Sequence, residues 1–167
     1  MPGVDIQKLY ALTQDEAENL AEELFNYDYF LRANHAINDF LANKNMDRAV
    51  RKEILDQTIK SGSASFKRLM DLLLEQELLR GFSALAESYI LLAEQNKKVV
   101  FAEIRTAFPL ENNELEKIKD CLKLEMKYKI VPDPELLGGF RLKCADGRVL
   151  DASVAGRLEQ LRMEMNK

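Results

Sequence analysis

Apolar side chains recur every three or four positions through the first half of the chain, which is the spacing of amphipathic helices. Thr13 and Glu16 have the spacing of a capping box, so a helix is expected to begin there, and Asp47 is expected to cap a later one. Because short helices of this kind are marginally stable alone, they must bury their apolar stripes against one another. The predicted stripes lie at residues 17–25, 31–41, 50–59, 66–73 and 78–92, and the second belongs to a helix over about 29–42.

The pattern changes at about Val99, where apolar and more polar residues begin to alternate as they do in a strand. Pro109 ends this strand, and helical spacing follows from Leu115 to Met126. A short strand is then expected at residues 128–131. The second half is therefore predicted to contain strands as well as helices.

Turn-forming residues separate the last elements of the chain. Asp133-Pro134 favours a turn, because Pro134 fixes its own φ and disfavours helical geometry at the residue before it. Asp146-Gly147 is a strong hairpin signal between two short strands. Asp151 or Ser153 is then expected to cap a closing helix, whose apolar stripe consists of Val154, Leu158, Leu161 and Met165.

These elements predict a mainly α protein with a small α+β C-terminal part. The predicted domains are an N-terminal helical bundle at residues 1–97 and a strand-hairpin-helix domain at residues 98–167. Gly81 is expected inside the last helix of the bundle, where a glycine costs about 1 kcal/mol relative to alanine and allows close packing.

The composition is 47% apolar and 31% charged with a net charge of −4, which is ordinary for a globular protein and argues against a dedicated nucleic-acid binder. No apolar run approaches the roughly 20 residues that cross a bilayer, so direct membrane insertion is not expected. The start of the chain carries Asp5 and lacks a basic-then-apolar leader, so no targeting peptide is expected. Cys121 and Cys144 lack metal-ligand spacing and are expected to be reduced, buried thiols.

Candidates for catalytic chemistry are few. His35 is the only histidine, and no serine or cysteine stands at a recognisable motif spacing from it, so a surface or half-buried helical role is favoured. Asp133 and Asp151 precede turn or helix-start positions, where an aspartate bonds to local backbone instead of forming an acid pair. No catalytic residue, cofactor or metal is predicted, and the chain is not expected to be an enzyme.

Two further patterns have ordinary structural interpretations. Gly138-Gly139 belongs to neither GxGxxG nor GxxxxGK[ST], so a bulge or a tight backbone contact is favoured over a phosphate cradle. A group of lysines is interleaved with acidic residues, which is typical of a solvated mixed-charge face and not of a nucleic-acid site. These lysines are Lys117, Lys119, Lys123, Lys127 and Lys129.

Three motifs follow one another after the predicted boundary: Thr106-Ala107-Phe108-Pro109-Leu110, then Asp133-Pro134-Glu135-Leu136-Leu137-Gly138-Gly139, then the stretch from Asp151 to Leu158. Their order and spacing resemble the delta subunit of F-type ATP synthases, whose mitochondrial relative is the oligomycin-sensitivity-conferring protein. The resemblance covers residues 99–167, with Leu137 in place of the usual isoleucine. The family-signature and stalk-interface candidates that it implies are Thr106, Pro109, Asp133, Pro134, Leu137, Gly138, Gly139, Asp151, Ser153 and Gly156.

The resemblance implies a non-catalytic stator subunit, present in one copy, that links the catalytic head of the enzyme to its peripheral stalk and couples proton flow to ATP synthesis. The first domain would bind N-terminal helices of alpha subunits, and the second would bind C-terminal helices of b subunits. The complex would hold such a protein at the cytoplasmic face of the bacterial plasma membrane. The alternative is a helical adaptor or regulatory module of another cytosolic complex, which the first half of the chain does not exclude.

The first half departs from the family pattern, because Tyr10-Ala11-Leu12 runs directly into Thr13-Gln14-Asp15-Glu16. No head-binding residue is therefore transferred from the family to this region. The residues themselves suggest a groove in the bundle that accepts a helix of another chain. The candidates for this groove are Phe82, Leu85 and Tyr89, which core packing explains equally well.

Overall fold

The computed structural model describes residues 4–97, 99–110, 112–122 and 125–165, with the side chains of residues 112, 121 and 122 outside that description. The chain divides into two compact units, Met1–Lys97 and Lys98–Lys167. The predicted fold class, mainly α with a small α+β C-terminal part, is confirmed. The predictions for the Cys121 thiol, the Leu122 side chain and Lys123 lie outside the described residues.

The first unit contains helices and loops, and no strand, in its described residues. Its helices are α1 (Ile6–Leu12), α2 (Ala17–Ala33), α3 (His35–Ala42), α4 (Arg48–Thr58), α5 (Ala64–Glu75) and α6 (Phe82–Lys97). Short 3-10 turns at Gln14–Glu16 and Leu79–Gly81 precede α2 and α6.

Side-chain caps set where several of these helices begin. The Asp47 carboxylate accepts a hydrogen bond from the Ala49 N–H at 2.8 Å, as predicted, and the Ser63 hydroxyl accepts one from the Phe66 N–H at 3.2 Å. Asp5 caps α1 in the same way. Each cap satisfies a backbone donor that the helix leaves unpaired and contributes about 1 kcal/mol.

An aromatic cluster lies at the centre of the first unit. The ring of Tyr27 meets the rings of Phe66 and Phe82 edge-on, with centroids 5.6 and 5.5 Å apart. Its hydroxyl shares a hydrogen bond of 2.9 Å with the Thr58 hydroxyl, so the polar end of a buried ring is satisfied. The unit also buries several leucines, each stabilising the fold by about 1.5–3 kcal/mol: Leu20, Leu24, Leu31, Leu55 and Leu73.

The predicted capping box at Thr13 and Glu16 is wrong. Thr13 ends α1 instead, and its hydroxyl donates to the Leu9 carbonyl at 2.9 Å and shares a 2.6 Å hydrogen bond with the Tyr89 hydroxyl. The Glu16 carboxylate accepts from the Ser65 hydroxyl at 2.6 Å. Both side chains therefore bond to distant partners, which sequence spacing alone does not reveal.

The predicted helix over about 29–42 is also corrected. The helix α2 runs without interruption to Ala33, and the break falls at Asn34, whose backbone is non-helical at φ −124° and ψ 67°. The Asn34 side-chain amide donates to the Phe30 carbonyl at 2.8 Å, a local bond that competes with helix continuation. Gly81 likewise lies at the end of a 3-10 turn and not within a helix, and a Cβ there would meet no atom within 4 Å.

An ion pair between the buried Arg51 and the partly exposed Glu77 joins α4 to the turn after α5. The predicted stripe position Val50 is 44% exposed, whereas the neighbouring Arg51 is only 2% exposed. The Arg51 guanidinium donates to both carboxylate oxygens of Glu77, at 2.6 and 2.8 Å, and to the Leu41 carbonyl at 3.4 Å. Glu77 has a left-handed backbone at φ 57°, which costs about 1 kcal/mol for a residue other than glycine. The bidentate bond therefore stabilises a strained turn after α5.

The second unit contains β1 (Val99–Thr106), α7 (Asn112–Leu122), β2 (Glu125–Pro132), β3 (Phe140–Cys144), β4 (Val149–Asp151) and α8 (Val154–Met165). The described strands form a sheet in the order β2-β1-β3-β4, in which β1 is parallel to β2 and antiparallel to β3.

One face of this sheet and α7 enclose the core of the second unit. Its buried members are Val100, Ala102, Ile104, Leu115, Ile118, Met126, Leu142 and Cys144. Met126 was expected at the end of a helix but lies in β2, paired with Val100. The spacing misleads because Met126 on β2 packs into the same core as Leu115 and Ile118 on α7, so it seems to continue their helical stripe.

Replacing Glu77 with glutamine is expected to lower the free energy of unfolding by about 2–3 kcal/mol, because it leaves the buried Arg51 charge without its counter-ion. The loss should be largest near neutral pH. Arg51 hydrogen-bonds Glu77 and lowers its carboxyl pKa below the ordinary 4.5, so the stabilisation is present above that value and disappears as pH falls through the folded-state pKa.

Urea unfolding followed by circular dichroism measures this loss. Glu75→Gln is the matched control, since Glu75 and its partner Arg48 are both more than half exposed and 3.5 Å apart, and its effect should stay below about 1 kcal/mol. Equal losses in the two variants would contradict the assignment.

Candidate protein-interaction site

Several signature residues of the second unit meet at the end of β1. The Asp133 N–H donates to the Thr106 carbonyl at 2.9 Å. The Thr106 hydroxyl donates towards the carbonyls of Phe108, at 2.5 Å, and Gly139, at 3.3 Å. Thr106 is only 4% exposed, so its hydroxyl satisfies these carbonyl acceptors where water does not reach. It thus joins the loop after β1 to the diglycine.

The Asp133-Pro134 pair forms the turn that its sequence predicts. The Asp133 carboxylate accepts from the Glu135 N–H at 3.2 Å, and Pro134 opens a 3-10 turn over Pro134–Leu136. Leu136 points inward and is 2% exposed, whereas Leu137 is 64% exposed and has a left-handed backbone at φ 59°. The turn therefore presents an apolar side chain to solvent in a conformation that costs about 1–2 kcal/mol.

The two glycines allow a close approach between backbone segments. Gly139 has φ +70°, and a Cβ on it would lie 2.3 Å from the Ala152 carbonyl oxygen. The Gly138 carbonyl accepts from the Val154 N–H at 3.0 Å, and a Cβ on Gly138 would lie 3.0 Å from a Val154 methyl group. A tight backbone contact, and not a phosphate cradle, accounts for the pair.

The third motif builds the start of α8. The Ser153 hydroxyl accepts from the Gly156 N–H at 3.0 Å, so Ser153 is the cap, and Asp151 supports it by accepting from the Ser153 hydroxyl at 2.5 Å and its N–H at 3.0 Å. These two bonds, the hydroxyl first, lower the pKa of the Asp151 carboxyl, and Arg141 adds to the effect. A Cβ on Gly156 would lie 2.8 Å from an Asp151 carboxylate oxygen.

The structure therefore brings most of the signature residues together as one hydrogen-bonded junction, which we call the signature junction: Thr106, Asp133, Gly138, Gly139, Asp151, Ser153 and Gly156. Their polar groups are directed at one another, at local backbone and at Arg105 and Arg141. Pro109, beside the exposed Phe108, and Leu137 lie on the surface. The binding role predicted for these residues stays a prediction.

Helix α8 carries the apolar stripe that the sequence predicts, and this stripe is exposed. No residue of α8 among those described is buried. The four residues of its apolar stripe are Val154 at 44%, Leu158 at 53%, Leu161 at 55% and Met165 at 87% exposure. In the sequence, the stripe follows a hairpin of only two short strands. So small a hairpin offers little surface that could cover the stripe, and this was the sequence feature that could have predicted its exposure.

The three groove candidates of the first unit lie on α6 but differ in exposure. Phe82 and Tyr89 are 1% and 0% exposed, with their rings against Tyr27 and Tyr10, so they belong to the core. Leu85 is half-buried and reaches the surface. Partner binding at this helix stays a prediction, and of the three only Leu85 is placed to contact another chain.

The single histidine and the possible metal ligands of the described residues can be placed in the structure. His35 is exposed at the start of α3. Within the described ranges, no group of three or more His, Cys, Asp or Glu side chains is placed to hold a metal ion. Nor does that part of the chain contain a helix with the length and apolar character needed to span a membrane.

Comparison with known families gives one match that spans almost the whole chain. The family model described as ATP synthase delta (OSCP) subunit matches residues 8–165. It therefore includes both units, and it agrees with the resemblance inferred from the three motifs.

Curated proteins similar to the chain bear the same name. ATP synthase subunit delta of Streptomyces avermitilis is 29% identical over 153 residues, which is 89% of this chain and 56% of that protein. The subunit of Nitrosomonas eutropha is 36% identical over 99 residues, 57% of this chain and 55% of that protein. The chain thus spans about half the length of these two relatives, whereas the match to Acetivibrio thermocellus, 26% identical, covers 93% of this chain and 88% of that one.

A solved structure shares the fold. A chain of the Toxoplasma gondii mitochondrial ATP synthase hexamer superposes with a TM-score of 0.63, covering 97% of this chain and 95% of that one. The two are 18% identical, so the likeness concerns the fold alone.

Replacing Gly139 with alanine is expected to lower the stability of the second unit by about 3 kcal/mol or more, because the Cβ adds a backbone clash to the cost of a positive φ. Gly147→Ala is the matched control. Gly147 also has positive φ, at +89°, but a Cβ there would meet nothing within 4 Å, so only about 1 kcal/mol should be lost. Thermal unfolding of both variants distinguishes the two costs, and similar losses would refute the close-contact explanation.

Proposed function

Because the chain belongs to the ATP synthase delta (OSCP) subunit family, we propose that it is a non-catalytic stator subunit of a proton-translocating F-type ATP synthase. The observation that supports this most strongly is the family match over residues 8–165, which includes the helical unit and the sheet-containing unit together. Asp133 and Asp151 bond to neighbouring backbone and to Arg105 and Arg141, which agrees with a role in binding.

In this proposal each unit binds a different part of the enzyme. The first unit, residues 1–97, binds N-terminal helices of alpha subunits in the catalytic head. The second unit, residues 98–167, binds C-terminal helices of the b subunits in the peripheral stalk. One copy of the chain then holds the head stationary against the torque of the rotor, so that proton flow is coupled to ATP synthesis.

The construction of the second unit suits a chain that transmits force. The signature junction connects the end of β1, the turn after β2, β3 and the start of α8 through backbone carbonyls and short side-chain hydrogen bonds. A load on α8 is therefore passed to the central strand of the sheet through several bonds in parallel. The complex would hold the chain at the cytoplasmic face of the bacterial plasma membrane as a peripheral component.

The exposed part of α6 is the proposed contact with the head. Leu85 lies at the surface one turn before the buried Tyr89, whose hydroxyl is held by Thr13 at the end of α1. The Thr13–Tyr89 hydrogen bond holds α6 against α1, so the apolar side chain of Leu85 is a suitable anchor for another amphipathic helix.

The test of the overall proposal is a pull-down of the tagged chain from native membranes in mild detergent. Alpha, beta and b subunits are expected to co-purify. Recovery of a different cytosolic complex without these subunits would favour the helical-adaptor alternative.

Leu85→Asp is expected to weaken binding of an alpha-subunit N-terminal peptide by about tenfold or more, because a charge replaces an apolar anchor. Ser88→Asp places the same charge on an exposed position of α6 and is the control, with a change of less than about threefold. Fluorescence anisotropy with the full chain measures both. If the two variants bind the peptide equally well, the head contact lies elsewhere on the unit.

A further inference from the structure

Strand β2 lies at one edge of the sheet and is much longer than the strand at the other edge. It spans Glu125–Pro132 and extends about 26 Å, whereas β4 spans only Val149–Asp151. On one side β2 pairs with β1, and the described part of the sheet has no strand beyond it. A short edge strand resists pairing with other chains, whereas a long one is a template for strand addition.

The side of β2 that faces α7 is apolar and only partly covered. The pairing with β1 places Met126, Tyr128 and Ile130 on this side. Met126 is buried at 6% exposure, but Tyr128 and Ile130 are 36% and 40% exposed. The Lys119 ammonium of α7 lies 5.0 Å from the centroid of the Tyr128 ring, so a charged side chain, and not an apolar one, covers it there. Tyr128 and Ile130 therefore lie at the margin of the core, where an added strand would bury them further.

The opposite side of β2 carries two lysines that alternate with these apolar residues. Lys127 and Lys129 are two residues apart, so their side chains lie on the same face of the strand. Glu125 precedes them on that face. Glu103 lies opposite Lys129 on β1, and the Arg105 guanidinium donates to it at 2.7 Å. The two lysines thus form a short basic segment in the middle of the edge.

This basic segment disfavours pairing of β2 with a second copy of itself. In an antiparallel pair of two β2 strands, directly opposed residues lie on the same face of the sheet. Every two-fold register centred on residue 127, 128 or 129 then places a lysine opposite a lysine, which is destabilising. A partner strand with acidic residues at these positions replaces that repulsion with attraction.

The alternation along β2 specifies the chemistry of such a partner. Its acidic side chains must lie beside Lys127 and Lys129, and its apolar side chains beside Tyr128 and Ile130, because neighbouring strands have matching faces. Pro132 ends the usable edge, since proline has no N–H to donate. The edge therefore fits an extended segment of about six residues in which acidic and apolar residues alternate.

We propose that the outer edge of β2 is a strand-addition site for an extended acidic segment of a partner polypeptide. The backbone of the segment continues the sheet, its acidic residues contact Lys127 and Lys129, and its apolar residues cover Tyr128 and Ile130. The inference goes beyond the stator proposal, because the partners named there are helices and a strand edge pairs with extended backbone.

The charge pattern is tested by fluorescence anisotropy with the full chain and labelled peptides of about eight residues. The acidic probe alternates glutamate with valine, and its twin carries lysine in place of glutamate. The wild-type chain is expected to prefer the acidic probe by about tenfold. Lys127→Glu combined with Lys129→Glu should reverse this preference, and Lys127→Gln combined with Lys129→Gln should abolish it.

The matched control is Lys117→Glu combined with Lys143→Glu, which makes the same change in charge at exposed positions away from the edge. Its preference for the acidic probe should stay within about threefold of the wild-type value. Circular dichroism checks the fold of each variant. Lys127 and Lys129 are half-buried, so the glutamine variant carries the test if the glutamate variant does not fold.

Pairing through the backbone is tested with two further versions of the acidic probe. Each carries N-methyl groups on alternate residues, at positions complementary to those of the other. Because the N–H groups of alternate residues point to the same edge of a strand, only one version keeps the donors that face β2, and the two affinities should differ by about tenfold or more. Hydrogen exchange in the complex should slow at residues 125–132 and stay unchanged at Val149–Asp151.

Several outcomes would overturn the inference: no binding of the acidic probe, equal binding of its lysine twin, equal binding of the two N-methylated versions, or protection only outside residues 125–132. The lysines of β2 would then serve only to prevent self-association. A wild-type chain that dimerises through β2 would overturn it as well. Co-purification with alpha, beta and b subunits is measured separately, so the strand-addition site and the stator proposal can each fail without the other.

Discussion

The Ala152 carbonyl oxygen occupies the space that any Cβ at position 139 would need, with a separation of only 2.3 Å. Around this approach, the Thr106 hydroxyl bonds the Gly139 carbonyl and the Gly138 carbonyl accepts from the Val154 N–H. The second unit depends on this contact because it fixes the diglycine, the return from β4 and the start of α8 at one place. A side chain at Gly139 would separate all three.

As a consequence, the polar signature residues of the second unit bond within the unit, whereas apolar residues of α8 are exposed on its surface. The polar signature residues form hydrogen bonds that hold the loops together. Asp151, for example, bonds to Ser153 and Arg141, and these bonds lower its carboxyl pKa and keep it ionised. The surface that α8 offers to partners is apolar and helical. This division agrees with the stator function proposed above, in which the second unit binds a partner and catalyses no reaction.

The first unit shows why sequence patterns predicted its helices better than their connections. Helical spacing identified stripes in the regions of α2 to α6, because burial of one face of a helix imposes a period of 3.6 residues, but it did not predict α1. The capping box at Thr13 failed because the hydroxyl bonds to Tyr89, 76 residues away in the sequence. Arg51 was missed for a related reason: a charged residue is ordinarily exposed, and the bonds that make its burial favourable come from Glu77 and Leu41, which are distant in the sequence.

By itself, the sequence determined the mainly α class, the strands and hairpin of the second half, and the family, because periodicity, turn residues and motif order are local properties of the chain. Tertiary structure decided which residues are accessible. It placed Phe82 and Tyr89 inside the bundle, gathered the signature residues into a junction, and turned the stripe of α8 outward. Exposure depends on which elements cover a face, and that is decided by contacts between residues far apart in the chain, which spacing along the sequence does not encode.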